Sequence, residues 1–469
     1  MSGRVKGEAG LLLLVLIFGL GFRLALVAAT GPAVEVGPAM CPDSWDYLDL
    51  ARNLRGSGRF ERDGRTEIFR TPGYPAVVAT TLVPRVKSPD WLPASQWTVA
   101  AGPAKALLWG QAILDTVLVG LTFLLGRALV SRGAGLTAAG FQAICPLAMA
   151  APARVLSDSV YAFLFTAAVL LLVRHLRTRG WRPLLAAAVV LWAACYVRPV
   201  GLAMAAVCAA VLCFSRRGLR RAAAFAGVVA ACVLPWVVRN AVRADYVGFS
   251  SFGAHAAYYF AAPEVRARGE GISAEAARLD LALEMRAHAQ LSPSDSPGDR
   301  ARHARRRAWE IIASHPGTYA RVHLFGSLGF WLPGTTDVLE VAGATGGGRG
   351  TVDVLHRHGL LAAARHYFGN APDVWAAAAG LTAIWAAALA GAIAWLVRRG
   401  FRGVSAAGWL AVALVAVAAI LPGPFGLPRY RLPVTPLLHV AAAAGWIAII
   451  AAIKRRRDAR RGPRAAARG

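Results

Sequence analysis

The chain has 469 residues, 57% of them hydrophobic and 16% charged, with 52 Lys+Arg against 25 Asp+Glu and a formal net charge of +27. Soluble domains carry roughly 25% charged residues, and disordered tails are poor in apolar ones, so both classes are excluded. The positive balance leaves nucleic acid and a membrane surface open as partners. Placement of the basic residues decides between them.

Apolar runs approaching the roughly 20 residues of a membrane helix fall, in chain order, at 10–29, 105–126, 133–152, 157–173, 183–197, 199–214, 222–238, 374–396, 404–422 and 434–453. They predict an all-α polytopic membrane protein of about ten transmembrane helices, with eleven to thirteen as the upper range. The first run follows Arg4 and Lys6 without a small-residue cleavage pattern, which reads as a retained helix. With the N-terminus cytoplasmic, the inner segments are 1–9, 126–132, 174–182, 215–221, 398–403 and 454–469. Those segments carry 21 of the 27 excess charges. This bias is the positive-inside rule, and the basic tail 454–469 opens with Lys454-Arg455-Arg456-Arg457, which suits an anionic bilayer surface. No nucleic-acid partner is expected, because the basic residues are not interleaved with aromatics on one face.

Two long stretches, 30–104 and 239–373, then become extracytoplasmic regions of one domain covering 1–469. Within the second, 273–290 and 299–314 read as amphipathic interfacial helices with Ser273 and Asp299 as N-caps. The apolar segment 318–333 reads as interfacial or re-entrant, since a full crossing would place the basic tail outside. The run 343–351 (GATGGGRGT) is a flexible loop without the GK[ST] ending of a phosphate-binding loop. No internal repeat stands out. Of the six cysteines, Cys145, Cys195, Cys208, Cys213 and Cys232 lie in apolar runs and only Cys41 in an outer loop, so no disulfide framework or metal finger is present.

Charged groups at the outer boundary are costly unless used or paired. The densest set is CPDSWDYLDLARNLRGSGRF followed by EIFRTPGYP. Residues 44–55 predict a short helix ended by Gly56, with Asp43, Asp46, Tyr47, Leu50 and Leu54 on one face. Asp43 there reads either as an N-cap, with Asp46 imitating a capping box, or as a carboxylate able to take a proton from a hydroxyl. The two roles are compatible. Arg70, in Phe69-Arg70-Thr71-Pro72-Gly73-Tyr74-Pro75, is either a phosphate-binding guanidinium on a proline-stiffened frame or a snorkelling arginine. Arg198, Arg239, Arg429 and Arg431 recur at predicted outer helix ends, where topology does not call for them. Asp158 is an N-cap or a partner for one of these arginines. His255, Tyr258 and Tyr259 line a cavity or belong to an aromatic belt. No zincin, nucleophile-elbow or S-x-x-K pattern is present. A divalent cation on Asp43, Asp46 and Asp158 is left open.

Taken in order, these pieces resemble the GT-C membrane glycosyltransferases, in the branch of the aminoarabinose-to-lipid A transferases and protein O-mannosyltransferases. The resemblance rests on Asp43-x-x-x-Tyr47, Gly58-x-Phe60, Arg70-x-Pro72-Gly73-Tyr74-Pro75, Ser157-Asp158, Arg198-Pro199, Pro235-Trp236-x-x-Arg239-Asn240 and Arg429-Tyr430-Arg431-x-Pro433. It implies an enzyme of the bacterial plasma membrane that takes a sugar from a polyprenyl-phosphate donor and passes it to an envelope acceptor outside the cytoplasm. Asp43 would be the general base, with Asp46 as runner-up. Arg70, Arg429 and Arg431 would bind the donor phosphate. Tyr47, Tyr74, Asp158, Arg198, Arg239, His255, Tyr258 and Tyr430 would surround the substrates. The rival expectation is a transporter or flippase for a lipid-linked sugar.

Overall fold

The computed structural model describes residues 2–30, 38–82, 101–215, 218–292, 296–344, 351–368, 372–399 and 404–466. The described chain is almost entirely helical. It begins with α1 (Ser2–Ala29), α2 (Pro42–Ser57), a two-residue hairpin of β1 (Glu61–Arg62) and β2 (Arg65–Thr66), and α3 (Gly73–Thr81). A bundle follows, of α4 (Ala101–Leu129), α5 (Arg132–Ile144), α6 (Pro146–Ala150), α7 (Asp158–Thr178), α8 (Trp181–Val197), α9 (Gly201–Cys213) and α10 (Gly218–Ala244). Next come the shorter α11 (Phe252–Ala256), α12 (Ala262–Glu270), α13 (Ala274–Leu291), α14 (Pro297–Ser314), α15 (Pro316–Ser327), α16 (Thr335–Val341) and α17 (Thr351–Phe368). The bundle resumes with α18 (Pro372–Arg399), α19 (Ala406–Ile420) and α20 (Thr435–Ala466).

All ten predicted apolar runs are helical, but they do not all have the length of a crossing. Six helices are long and apolar enough to span a membrane: Gly7–Ala29, Lys105–Leu129, Asp158–Thr178, Gly218–Ala244, Val374–Arg398 and Pro428–Asp458. The run expected at 133–152 is not one straight helix. It bends by 56° between Arg132–Ile144 and Pro146–Ala153, because Pro146 has no N–H to continue the ladder. Trp181–Val197, Gly201–Cys213 and Ala406–Ile420 are apolar but short. The chain is therefore a multi-pass helical membrane protein with six spans by length, or seven with the bent pair, among the described residues.

Several helix ends differ from the sequence reading. Helix α2 begins at Pro42, and the cap position is Cys41, whose N–H donates to Ser44 Oγ at 2.9 Å. Asp43 thus lies inside the first turn and is not the N-cap. The helix runs past Gly56 to Gly58, whose φ of 67° closes it in the left-handed conformation that glycine tolerates best. Ser273 caps α13 as expected, accepting from Ala276 N–H at 3.0 Å. Asp299 does not cap α14; Ser296 does, because Pro297 is a natural first helical residue. Likewise Ser157 holds the cap position of α7, leaving Asp158 free to pair elsewhere. The loop at 343–351 falls largely on residues outside the described ones.

Two contacts fix how the bundle presents its loops. Arg23 of α1 and Asp115 of α4 are both fully buried, and Arg23 Nε lies 2.5 Å from Asp115 Oδ2. Three more guanidinium hydrogens go to the carbonyls of Gly19, Gln142 and Ala143, so α1, α4 and α5 meet on one charge. Gly73 opens α3 against the end of α8, where a Cβ would sit 2.6 Å from the carbonyl oxygen of Tyr196. Only glycine permits that approach, and it brings the Arg70 loop beside Arg198.

Removing one member of the buried pair leaves an unpaired charge, so Asp115→Asn should cost about 3–5 kcal/mol, while Arg23→Met with Asp115→Leu should recover most of it. Unfolding midpoints of the solubilised variants check this; equal midpoints for Asp115→Asn and the parent would refute it. Gly73→Ala should cost about 1–3 kcal/mol by overpacking, read in the same assay.

Candidate active site

The site is built around Arg70. Its backbone is set by Glu67, a buried residue whose Oε1 accepts the N–H of Phe69 at 2.5 Å and of Arg70 at 3.1 Å. Arg239, from the end of α10, braces the same loop from behind. It donates to the carbonyls of Glu67 at 2.6 Å and Phe60 at 2.7 Å, and its guanidinium lies 4.5 Å from the Trp236 ring. The Arg70 side chain, packed 4.5 Å from the Phe69 ring and 5.0 Å from the Tyr47 ring, then reaches the first turns of α2.

Asp43 and Asp46 meet it there, three residues apart and hence on one helical face. Arg70 Nη2 donates to Asp43 Oδ1 at 2.8 Å and to Asp46 Oδ2 at 2.9 Å, and Nε donates to Asp46 Oδ2 at 3.1 Å. Arg62 Nη1 holds the other Asp46 oxygen at 2.5 Å. From 386 residues along the chain, Arg429 Nη2 holds Asp43 Oδ2 at 2.7 Å. Tyr430 follows, its ring 5.4 Å from the Arg429 guanidinium and 5.7 Å from that of Arg198. Arg198 pairs with Asp158 at the head of α7. One continuous belt results, in which the guanidiniums of Arg62, Arg70, Arg429 and Arg198 face the carboxylates of Asp46, Asp43 and Asp158.

Burial opposes ionisation of Asp43, but the charges of Arg429 and Arg70 and their hydrogen bonds prevail and hold its carboxyl well below the usual range. Burial likewise opposes the charge on Arg70, and the neighbouring Tyr47, Asp43 and Asp46 outweigh it, raising its pKa. His255 goes the other way. Burial first, then the positive charges of Arg70 and Arg62, push its imidazole down to about 4. It lies between the Phe69 ring at 4.6 Å and the Tyr259 ring at 4.4 Å, tilted against both.

Tyr47 and Tyr74 tie this belt to the bundle. Their rings meet edge to face at 4.8 Å. Tyr47 Oη and Ser157 Oγ share a hydrogen bond of 3.1 Å, and Tyr74 Oη donates to Gln111 Oε1 at 2.8 Å. Gln111 Nε2 in turn donates to the carbonyls of Pro152 and Arg154. Tyr74 is wholly buried and supports the site from beneath.

Two expected residues lie elsewhere. Arg431 is wholly buried, stacks 3.7 Å from the Trp385 ring, and donates to the carbonyls of Phe330 and Pro333. The cause is the 3-10 helix Pro428–Val434: at three residues per turn, positions two apart point to different sides. Arg429 therefore reaches the acids, while Arg431 locks 328–334 to the bundle. Tyr258 is also wholly buried, and its hydroxyl donates to Leu281 O at 2.7 Å, which fastens α13. Sequence reasoning missed Glu67, Gln111, Arg62 and Arg154. Arg154 joins Asp337 and Glu340 of α16, both at 2.6 Å. An arginine at a predicted outer turn was the available signal for it, and a glutamine inside an apolar run was the signal for Gln111. Among the described residues no group of three or more His, Cys, Asp or Glu could hold a metal ion; Asp43, Asp46 and Asp158 each face a guanidinium.

No family model and no curated protein matches the sequence. Solved structures do match the fold. The archaeal oligosaccharyltransferase AglB from Archaeoglobus fulgidus, solved with an inhibitory peptide and a dolichol-phosphate, superposes with a TM-score of 0.54 at 12% identity, over 98% of this chain and 52% of that one. The Archaeoglobus fulgidus oligosaccharyltransferase in its apo form gives 0.51 at 13% identity, over 92% and 50%. ArnT from Cupriavidus metallidurans bound to undecaprenyl phosphate gives only 0.39 at 16% identity, over 95% and 77%. The chain shares its fold with these oligosaccharyltransferases. This chain spans about half the length of the oligosaccharyltransferases it matches.

The His255 imidazole should titrate with a midpoint of about 4. Arg70→Gln removes a positive neighbour and should move that midpoint upward, short of the ordinary value because burial persists. Histidine resonances of the labelled protein followed against pH report this; an unmoved midpoint would separate His255 from the charge belt.

Proposed function

We propose that the chain is an integral membrane glycosyltransferase that moves a hexosyl or pentosyl group from a polyprenyl-phosphate donor to a hydroxyl of an extracytoplasmic envelope acceptor, with inversion. The observation that carries this reading is Asp43 bracketed by Arg70 and Arg429 at the end of an apolar helical bundle. Guanidiniums at that boundary suit a lipid phosphate, whose oxygens they bind in planar, bidentate fashion. The fold agrees, and the oligosaccharyltransferase that matches it was solved with a dolichol-phosphate.

In the proposed step the acceptor oxygen attacks the anomeric carbon, and its proton passes to the Asp43 carboxylate. The bond between that carbon and the phosphate oxygen breaks, and its electron pair stays on the phosphate. Arg70 and Arg429 stabilise the charge that develops there. Asp46, held between Arg62 and Arg70, keeps Arg70 oriented. Among the described residues Asp158 Oδ2 has no hydrogen-bond partner, so it can accept a hydroxyl of either substrate and help hold it in line. By the distribution of Lys and Arg in the sequence, both termini are cytoplasmic and the site faces the other side.

A transporter would need a polar path through the bilayer. Among the described residues the fully buried ion pair within the spans, Arg23 with Asp115, is instead neutralised internally and bonded to carbonyls, which favours the enzyme.

Purified protein given labelled polyprenyl-phosphate sugars and extracted envelope acceptors should form an inverted glycoside. Asp43→Asn should lower the rate about 10²–10⁴-fold, the usual worth of a general base. Full activity in Asp43→Asn with loss in Asp46→Asn would transfer the base role to Asp46. Movement of lipid between leaflets with no glycoside formed would replace the enzyme reading with the flippase.

A further inference from the structure

A base must draw a proton from the incoming hydroxyl, and both Asp43 oxygens already accept from guanidiniums that stabilise its negative charge. Its Oδ1 accepts from Arg70 at 2.8 Å and its Oδ2 from Arg429 at 2.7 Å. The three carboxylates of the belt are not held alike, however. Asp46 receives three guanidinium bonds, from Arg62 Nη1, Arg70 Nε and Arg70 Nη2, and it would keep Arg70 in place without help. Asp43 receives a single nitrogen from each of two arginines. It also lies in the first turn of α2 with its side chain 28% exposed, so a change of rotamer can move it without moving the helix.

Arg429 carries the second observation. Only its Nη2 is used on Asp43, and its Nε–H is buried with no hydrogen-bond partner among the described residues. A buried guanidinium hydrogen without an acceptor is destabilising, because it has lost water and gained no partner. A carboxylate split between two arginines cannot fill it. A phosphate can: it has oxygens enough to take Arg429 Nε and Nη2 as a fork and Arg70 Nη2 besides.

We propose that the Asp43 carboxylate stands in the position of the donor phosphate, and that the phosphate displaces it from Arg70 and Arg429 on binding, so that the donor itself releases the base. This rests on reading the site as a donor-phosphate site. Before the donor arrives, an acceptor hydroxyl meets a carboxylate whose charge two guanidiniums already hold, and it is a weak base there. Once the phosphate holds the arginines, Asp43 turns free, still partly buried, and its affinity for a proton rises. After transfer the polyprenyl phosphate leaves, the arginines return to Asp43, and their charge expels the proton to water. Donor binding thus precedes productive acceptor binding, and the activated sugar is guarded from attack until its phosphate is seated.

The test measures binding of undecaprenyl phosphate to the full chain in lipid nanodiscs, with each variant's melting curve as a folding control. Asp43→Asn and Asp43→Ala remove the competing charge, so both should bind the lipid phosphate more tightly, by at least about threefold, while transferring sugar far more slowly. Arg429→Ala should bind it more weakly. An Asp43 that merely braces the arginines would give the opposite sign, so unchanged or weaker binding in Asp43→Asn overturns the inference and leaves the donor site standing. Absence of binding by the folded parent protein overturns the donor site itself, and this inference with it. Initial-rate kinetics of the unaltered protein supply an independent arm. Ordered addition with donor first is expected, and random addition would overturn the displacement.

Discussion

A guanidinium withdrawn from water must find acceptors for its hydrogens, and Arg70 is held by that constraint from three directions. Asp46 and Asp43 take its donors, Glu67 takes its backbone N–H, and the rings of Phe69 and Tyr47 cover its faces. Much of the architecture follows from keeping this arrangement in register. Arg239 holds the loop through two carbonyls, Gly73 lets α3 close against α8, and the Tyr74–Gln111 bond anchors the loop to α4. The prolines flanking Gly73 add stiffness, since each fixes a backbone angle that would otherwise have to be ordered. Chain segments hundreds of residues apart, α2 and the turn before α20, come to share one carboxylate.

That sharing explains why the site survives in a setting hostile to charge. Each ion in the belt has partners of opposite sign within hydrogen-bonding reach, so desolvation is offset locally. The offset is incomplete at two atoms, Asp158 Oδ2 and Arg429 Nε. Unsatisfied buried groups of this kind are rare in folded proteins. Their presence in the same belt, one an acceptor and one a donor, matches a substrate pair that brings a hydroxyl and an anion.

The class of the fold was legible because hydropathy and the sidedness of Lys and Arg are properties of single segments. The grouping of Asp43, Asp46, Tyr47 and Arg70 was legible for the same reason, being the product of one short helix and its adjoining loop. What could not be read depends on long-range packing or on local geometry finer than periodicity. Nothing in the Arg-Tyr-Arg run reveals that a 3-10 turn sends Arg429 toward Asp43 and Arg431 toward Trp385. Tyr258 sits in an aromatic triplet that suits a cavity wall, yet its hydroxyl is spent on a carbonyl 23 residues away. The break before Pro146 was signalled by the proline itself, but the apolar run on either side masked it. Cap positions erred by one to three residues at α2, α7 and α14, where the helix already includes the aspartate expected to cap it.

The pairing of Arg23 with Asp115 has a consequence for how the protein is made. The two residues are 92 positions apart, so the ribosome releases α1 well before the carboxylate that neutralises it exists. During that interval the arginine must remain near the translocation channel or an aqueous edge, because a lone charge at mid-bilayer costs at least about 2.5–3.5 kcal/mol. Arrival of α4 allows α1 to move sideways into lipid. The carbonyls of Gln142 and Ala143 then complete the guanidinium's shell as α5 follows. One ion pair thereby sets a sequence in time: α1 is committed to the bilayer together with α4, not before it.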